Sequence, residues 1–142
     1  GKDNRVFTIL GDGELNEGQC WEAFQFIAHH NLNNLTVFVD YNKLQLDGTL
    51  EEIIKPFSLT EKFKTFGFDS VEVKGDDIEG IYNLLKNPRG ENERPLAVIL
   101  DTKKGQGVNF IEKMNNSHHL RLTDDLKEEI EKVIKNLESE LE

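Results

Sequence analysis

Short apolar runs alternate along the chain with segments of helical periodicity, and no other feature of the sequence constrains the fold as strongly. The runs at 5–10, 35–40, 70–74 and 95–100 have the length of β-strands. The run at 35–40 is apolar almost throughout, which is typical of parallel strands covered on both faces. We therefore predict an α/β fold in which helices flank a mostly parallel sheet, with the first run as a short buried strand.

Apolar periodicity places the first helix between the first two strands. A helix over 16–31 would present a wide apolar face, formed by Trp21, Phe24, Phe26, Ile27 and Ala28. Residues 41–49 are predicted as a loop that leads into a short helix at 50–55, stopped by Pro56. The lone cysteine, Cys20, falls in the first helix and is interpreted as a small buried apolar residue.

Two further helices are predicted around the third strand. The earlier one begins at Ser58 or Thr60 and is closed by Gly67, because glycine accommodates the left-handed residue that ends many helices. The later one is capped by Asp76 and turns four apolar side chains inward, namely Ile78, Ile81, Leu84 and Leu85. The remaining connections are predicted as loops, at 87–94 and 102–109.

The C-terminal segment is predicted as an amphipathic helix outside the main domain. Thr123 would cap it, and Asp124 and Asp125 suit a first turn because acidic side chains are favourable there. One face carries an apolar stripe of Leu126, Ile130, Val133, Leu137 and Leu141. We favour packing of the stripe on the domain's own sheet over packing on a partner. The predicted domains are 1–122 and 123–142.

The formal net charge of −10 argues against several functions. General nucleic-acid binding and docking on anionic membranes both need a basic surface. No apolar run approaches the roughly 18 residues of a membrane span, and no signal-peptide pattern opens the chain. A single cysteine suits a reducing compartment, so a cytoplasmic location is expected. The chain begins with Gly1 rather than Met, which we interpret as a fragment, a processed product or a shortened form.

The turn after the first strand, Gly11-Asp12-Gly13, carries the first functional signal. The glycines permit a sharp bend and the close approach of a phosphate, and the following helix points free N–H groups at the turn. Asp12 would repel that phosphate unless a divalent cation lay between them, and hard oxygen ligands suit magnesium. The dinucleotide fingerprint fails, because the next glycine is Gly18, and the P-loop is absent. On these residues alone, a purely structural turn is an equally good interpretation.

Other polar segments also follow strands directly. Asn42 comes after the second strand, and a glycine-containing loop at 102–107 comes after the fourth. Ligands of α/β folds sit at the carboxyl ends of the strands. The turn at 11–13, Asn42 and this loop are therefore expected to converge at one edge of the sheet.

Together these motifs resemble the transketolase family, and most closely the first subunit of split transketolases. The similar segments are Gly-Asp-Gly-Glu at 11–14, Glu-Gly-Gln at 17–19, Glu-Ala at 22–23, Asp-Tyr-Asn at 40–42, Leu-Gln-Leu-Asp-Gly at 44–48, Phe-Gly at 66–67 and the glycine loop at 102–110. The resemblance runs from Arg5 to about Thr123. It implies a thiamine-diphosphate-binding fold that lacks the upstream part of the family's first domain.

The resemblance also implies a cofactor and metal site. Asp12 and Asn42 would bind Mg²⁺ through side-chain oxygens, and Leu44 through its backbone carbonyl, with Ca²⁺ or Mn²⁺ as possible substitutes. The whole implied cofactor-binding set is Gly11, Asp12, Gly13, Glu14, Asn42, Leu44 and Leu46. Within it, the glycines would let the diphosphate meet backbone N–H groups, and Leu46 would pack on the cofactor rings.

Three catalytic residues are implied by the same resemblance. Glu17 and Glu22 match two glutamates of a cluster that links paired active sites, although at five positions apart they do not stack on one helix face. His118 matches a histidine that contacts the sugar substrate near its reacting carbonyl, where an imidazole can move a proton. The tryptophan and glycine beside that histidine in the family are replaced here by Ser117 and His119.

The implied activity is transfer of a two-carbon ketol unit between sugar phosphates, with thiamine diphosphate supplying the difficult chemistry. In the family, the glutamate that activates the cofactor lies in a second, pyrimidine-binding domain or subunit. No segment of this chain resembles that domain. We therefore expect the chain to work in a homo- or hetero-oligomer and to be inactive alone.

Three alternatives remain open. The first subunit of 2-oxo acid dehydrogenases also carries Gly-Asp-Gly, but it commonly has an Asn-Asn pair where this chain has Tyr41-Asn42. Deoxyxylulose-phosphate synthase normally carries both domains on one chain. A diverged structural or regulatory subunit without catalysis is slightly favoured by the altered residues at 117–119.

Overall fold

The chain is described by a computed structural model that covers residues 4–114 and 120–140. It forms two compact units, Gly1–Lys103 and Lys104–Glu142. The first unit contains a parallel sheet built from β1 (Val6–Gly11), β2 (Leu35–Tyr41), β5 (Asp69–Lys74) and β6 (Leu96–Asp101). The strand order in this sheet is β1-β2-β6-β5. The predicted α/β fold with a parallel sheet is confirmed.

The helices of the first unit connect these strands. They are a 3₁₀ turn (Glu14–Asn16), α1 (Gly18–His29), α2 (Leu50–Ile53), α3 (Leu59–Thr65) and α4 (Ile78–Leu85). Ser58 caps α3 by accepting a hydrogen bond from the N–H of Glu61. The cap of α4 is Asp77, whose carboxylate accepts from the N–H of Gly80, so the prediction of Asp76 was wrong by one residue.

The segment predicted as a loop at 41–49 contains a small hairpin. Leu44 pairs with Thr49 and Gln45 pairs with Gly48, which forms the two-residue strands β3 (Leu44–Gln45) and β4 (Gly48–Thr49). Strands of two residues are too short to show an alternating apolar pattern, so the sequence signal for them was absent. The hairpin gives the loop after β2 a defined backbone.

Apolar side chains pack on both faces of the two interior strands, β2 and β6. On one face α1 and α3 contribute an aromatic cluster, and the buried residues there are Leu15, Cys20, Phe24, Val37, Val39, Leu59, Phe63, Phe68, Ala97 and Ile99. On the other face Phe38, Leu96 and Val98 pack with Ile81 and Leu85 of α4. The alternation of Val37, Phe38 and Val39 between the faces follows from the two-residue period of a strand.

Several side chains predicted to be inside are exposed. In β1, which was predicted to be a buried strand, Val6, Phe7 and Ile9 are exposed, because among the described residues this edge strand packs mainly against β2 and the 3₁₀ turn. Phe26 of α1 is also exposed. In α4, Ile78 and Leu84 are exposed, since only Ile81 and Leu85, one turn apart, reach the sheet.

The second unit contains α5 (Asn109–Glu112) and α6 (Asp124–Ser139). Thr123 caps α6 as predicted, accepting a hydrogen bond from the N–H of Leu126 at 3.3 Å. Leu141 of the predicted stripe lies outside the described residues, and the packing of the stripe and the division after residue 122 stay predictions. Within the described ranges, no helix is both long enough and apolar enough to cross a membrane.

Candidate functional site

The candidate site lies at the carboxyl ends of β1, β2 and β6. Gly11 is in register with Asp40, and Tyr41 with Asp101, so the three strands end together. The N–H of Asp12 donates to the carbonyl of Asp40 at 3.2 Å, which joins the turn after β1 to the end of β2. The predicted convergence is confirmed for the turn at 11–13, for Asn42 and for Thr102.

The turn after β1 is built on the first turns of α1. The indole N–H of Trp21 donates to the carbonyl of Leu15 at 2.6 Å, and the thiol of Cys20 contacts the carbonyl of Glu14 at 3.4 Å. Burial raises the pKa of the Cys20 thiol, as expected for a structural cysteine. Helix α1 therefore fixes the backbone that carries Asp12.

Asp12 is the central side chain of the site and is only 4% exposed. Its Oδ2 accepts a hydrogen bond from the backbone N–H of Lys43 at 2.7 Å. A carboxylate is costly to bury unless donors or cations surround it. The aspartate of the turn is therefore directly connected to the loop that follows β2.

The Asn42 side chain is held in a fixed orientation. Its Nδ2 donates to Oδ2 of Asp40 at 3.0 Å, and its Oδ1 accepts from the N–H of Leu44 at 3.0 Å. Asp40 also accepts a hydrogen bond from the hydroxyl of Thr102. Because the amide nitrogen must face Asp40, the amide oxygen faces the other way, and its second lone pair remains as a possible metal ligand.

The two glycines of the turn differ in their surroundings. Within the described ranges, a Cβ at Gly11 would meet no atom within 4 Å beyond its chain neighbours, whereas a Cβ at Gly13 would lie 3.1 Å from Cγ of Gln45. The N–H of Gly11 donates to the carboxylate of Glu14 at 3.1 Å. If a diphosphate used the Gly11 N–H, the Glu14 carboxylate would therefore have to move aside.

The groups at this edge suit a divalent metal and a phosphate. Among the described residues, no three His, Cys, Asp or Glu side chains form a metal cluster, so a metal here would need amide and backbone oxygens beside Asp12. The oxygens of Asp12, Asn42 and the Leu44 backbone are the hard ligands that Mg²⁺ prefers. Beside Gly13, the buried Nε2 of Gln45 has no hydrogen-bond partner within the described residues, and an anionic oxygen would satisfy it.

The other predicted site residues are not drawn into this cluster. Leu46 is 53% exposed at the tip of the β3–β4 hairpin. Glu17 is the cap residue of α1 without a capping side-chain hydrogen bond, and both Glu17 and Glu22 are exposed. His118 lies outside the described residues.

Sequence reasoning missed an ion-pair group at the same edge. Asp101, the last residue of β6, pairs with Lys43, and its other oxygen accepts from Lys74 at 2.8 Å. Hydrogen bonds from both lysines lower the pKa of Asp101 from 3.8 to about 2. The available sequence signal was an aspartate at the end of a predicted parallel strand, and Asp40 near the end of β2 gave the same signal.

Fold and site together define an α/β protein with a cluster of polar side chains at the carboxyl edge of a parallel sheet. The family model for the transketolase thiamine diphosphate binding domain matches residues 2–138, so the chain belongs to the transketolase family. It is 36% identical over 123 residues to a 6-deoxy-6-sulfo-D-fructose transketolase subunit from Clostridium sp. strain MSTE9, covering 87% of this chain and 45% of the relative. It is 38% identical over 119 residues to one of the subunits of apulose-4-phosphate transketolase from Actinobacillus succinogenes, covering 84% and 43%. The chain thus spans less than half the length of these curated relatives.

Solved structures agree with this assignment. The chain is similar to transketolase from Campylobacter jejuni, with a TM-score of 0.68 and 25% identity, over 76% of this chain and 17% of that one. It is also similar to a transketolase variant from Pichia stipitis in complex with xylulose-5-phosphate, with a TM-score of 0.66 and 32% identity, over 72% and 15%. The predicted membership of the family is confirmed.

Proposed function

We propose that this chain holds the diphosphate and metal of thiamine diphosphate in an enzyme that transfers two-carbon ketol units between sugar phosphates. The observation that carries the proposal is the hydrogen bond from the Lys43 N–H to buried Asp12, which brings the Gly-Asp-Gly turn against the Asn42–Leu44 segment. Family membership supports the same cofactor. When bound, thiamine diphosphate would supply the stabilised carbanion that such a transfer requires.

The proposed roles of the residues follow from this arrangement. Asp12, Asn42 and the carbonyl of Leu44 hold Mg²⁺, with Ca²⁺ or Mn²⁺ as possible substitutes. Gly11 gives the diphosphate room at the turn, because no atom of the described residues beyond its chain neighbours lies within 4 Å of its Cβ position. Gly13 and Glu14 flank the diphosphate, and the exposed Leu46 is available to pack on the cofactor rings.

A second subunit or domain completes the proposed enzyme. The relatives are named as subunits, and this chain spans less than half of their length. We propose a pyrimidine-binding partner, with the exposed Glu17 and Glu22 at the contact between active sites and with His118 on the sugar. We expect a cytoplasmic oligomer, and no two-carbon transfer by this chain alone. Robust turnover by the purified chain with cofactor and Mg²⁺ would contradict the need for a partner.

Calorimetry with thiamine diphosphate tests the cofactor proposal. The wild-type chain, alone and with its partner subunit, should bind the cofactor only when Mg²⁺ is present. Asp12→Asn should weaken the apparent affinity at least tenfold, because it removes the only carboxylate of the proposed metal site. Asp76→Asn, an exposed carboxylate in the β5–α4 connection, is the matched control and should change little. Absence of cofactor binding in the complex would instead favour a non-catalytic structural or regulatory subunit.

A further inference from the structure

Lys43 has a left-handed backbone conformation in the loop that follows β2. It lies between Asn42 and Leu44, the two residues proposed to bind the metal beside Asp12, and its φ is +66°. Residues with a Cβ rarely adopt this left-handed conformation, and lysine lacks the short polar side chain that helps asparagine or aspartate to adopt it. The contacts around Lys43 must therefore hold its backbone in place.

Three groups of Lys43 are bound by three different elements. Its N–H donates to Oδ2 of Asp12 at 2.7 Å, in the turn after β1. Its carbonyl accepts from the N–H of Leu50 at 3.1 Å, at the start of α2. Its ammonium group forms an ion pair with Asp101 at the end of β6. The residue between the two proposed ligands is thus held from three sides.

The ion pair between Lys43 and Asp101 mainly positions the loop after β2 and contributes little to stability. The side chains of Lys43 and Asp101 are 44% and 27% exposed, and solvent screens pairs of this kind. Asp101 is itself held, because it is the last residue of β6 and pairs with Tyr41 of β2 and with Lys74 of β5 in the sheet. The pair therefore ties the loop after β2 to a fixed point on the end of β6, whatever its direct contribution to stability.

We propose that Lys43 is a positioning residue for the metal site. Through Asp12 and Asp101 it holds the loop so that the side-chain oxygen of Asn42 and the carbonyl of Leu44 are presented together. The proposal rests on the proposed function, since those two oxygens are its metal ligands. An ion pair without influence on the loop is the competing explanation.

Hydrogen exchange of the unliganded chain tests the positioning role without any cofactor. Lys43→Met keeps the length of the side chain and removes its charge, and Lys43→Arg restores the charge. Lys74→Met removes the other cation on Asp101 and is the matched control. We expect the Leu44 amide to exchange at least fivefold faster in Lys43→Met, and within twofold of wild type in Lys43→Arg and Lys74→Met. Unchanged exchange in Lys43→Met would overturn the positioning role.

Calorimetric titration of Mg²⁺ at fixed thiamine diphosphate tests the connection to the metal. Loss of a group that orients metal ligands commonly weakens metal binding by about 10–100-fold. Lys43→Met should therefore bind Mg²⁺ about tenfold more weakly, with recovery in Lys43→Arg and little change in Lys74→Met. Equal affinity in wild type and Lys43→Met would overturn this inference and leave the proposed function standing. No cofactor binding by wild type would overturn the metal assignment, while faster exchange in Lys43→Met would still show that Lys43 orders the loop.

Discussion

The two polar side chains proposed to bind the metal, Asp12 and Asn42, are held in place by different partners. Asp12 is buried and bound by the Lys43 N–H, whereas Asn42 is oriented by Asp40. The Gly-Asp-Gly turn alone did not distinguish a structural turn from a ligand site. In the structure the two glycines have different surroundings, because of the two only Gly13 has a side chain, that of Gln45, close to its Cβ position. A substitution at each glycine therefore tests a different effect.

Replacing each glycine by alanine should separate stability from cofactor binding. Gly13→Ala places a Cβ 3.1 Å from Cγ of Gln45, and we expect a loss of about 1 kcal/mol in the free energy of unfolding. Gly11→Ala has open space and should leave that free energy within about 0.5 kcal/mol of wild type. If the diphosphate uses this space, Gly11→Ala should nevertheless weaken thiamine diphosphate binding. Urea unfolding and calorimetry measure the two effects, and equal destabilisation of both variants would contradict the expectation.

Asp101 should make stability depend on acid pH. Its folded pKa of about 2 is below the ordinary value of 3.8, so its contribution is present above about pH 4 and is lost as the pH falls toward 2. Asp101→Asn should cost about 1 kcal/mol at pH 7, because the pairs are partly screened by solvent, and the difference from wild type should shrink below pH 4. Urea unfolding over this pH range is the measurement. The exposed Glu61, paired with Lys64 on α3, offers Glu61→Gln as a control with a smaller effect.

At the scale of elements, the strands of six or seven residues and the capped helices were predictable from the sequence. The two-residue strands and the exposure of β1 were not. The apolar run at 35–40 identified β2, and Gly67 identified the end of α3, where its φ is +92°. The hairpin of β3 and β4 escaped prediction because two-residue strands leave no periodicity. The exposure of β1 escaped it because an edge strand and a central strand can have the same apolar composition.

The end of α3 and the start of α1 give opposite responses to the same substitution. Gly67→Ala puts a side chain on a left-handed residue and 3.1 Å from Cβ of Ala28, so we expect a loss of about 1–2 kcal/mol. Gly18→Ala has open space at the first position of α1 and should gain up to about 0.5 kcal/mol. Midpoints of urea unfolding measure both. Similar midpoints for the two variants would show that α3 tolerates a Cβ at its end.

The site was predictable only in part, for a physical reason. The positions of Asp12 and Asn42 follow from where strands end, which periodicity reveals. The contacts of Lys43 with Asp12 and Asp101 join segments 31 and 58 positions apart, and no local pattern encodes them. The left-handed backbone of Lys43 is equally invisible, because lysine gives no turn signal.

At the scale of the whole molecule, the sheet is covered unevenly. Its interior strands are buried on both faces, but in β1 Phe7 is exposed and Ile9 is 71% exposed. Parallel sheets are normally covered on both faces. An exposed apolar edge strand is also a template for pairing with another chain. The isolated chain should therefore self-associate as its concentration rises.

A charge on β1 should suppress this association. Ile9→Lys places a lysine on the edge strand, where it discourages strand pairing. Ile78→Lys is the matched control, because Ile78 is also 71% exposed but lies on α4. Sedimentation velocity over a range of concentrations should show a larger monomer fraction for Ile9→Lys than for Ile78→Lys. Equal monomer fractions would assign the association to a surface other than β1.

The anchoring of the turn by Trp21 has a practical consequence. Trp21 is the single tryptophan of the chain, and its indole is hydrogen-bonded to the turn that follows Asp12. It also packs against Phe66 and lies under the ammonium group of Lys62, 5.6 Å from the ring. Its emission spectrum is therefore an intrinsic reporter of the turn, free of background from other indoles. If the proposed cofactor binds at the sheet edge, we expect this emission to change, which would allow binding to be followed without attaching a dye.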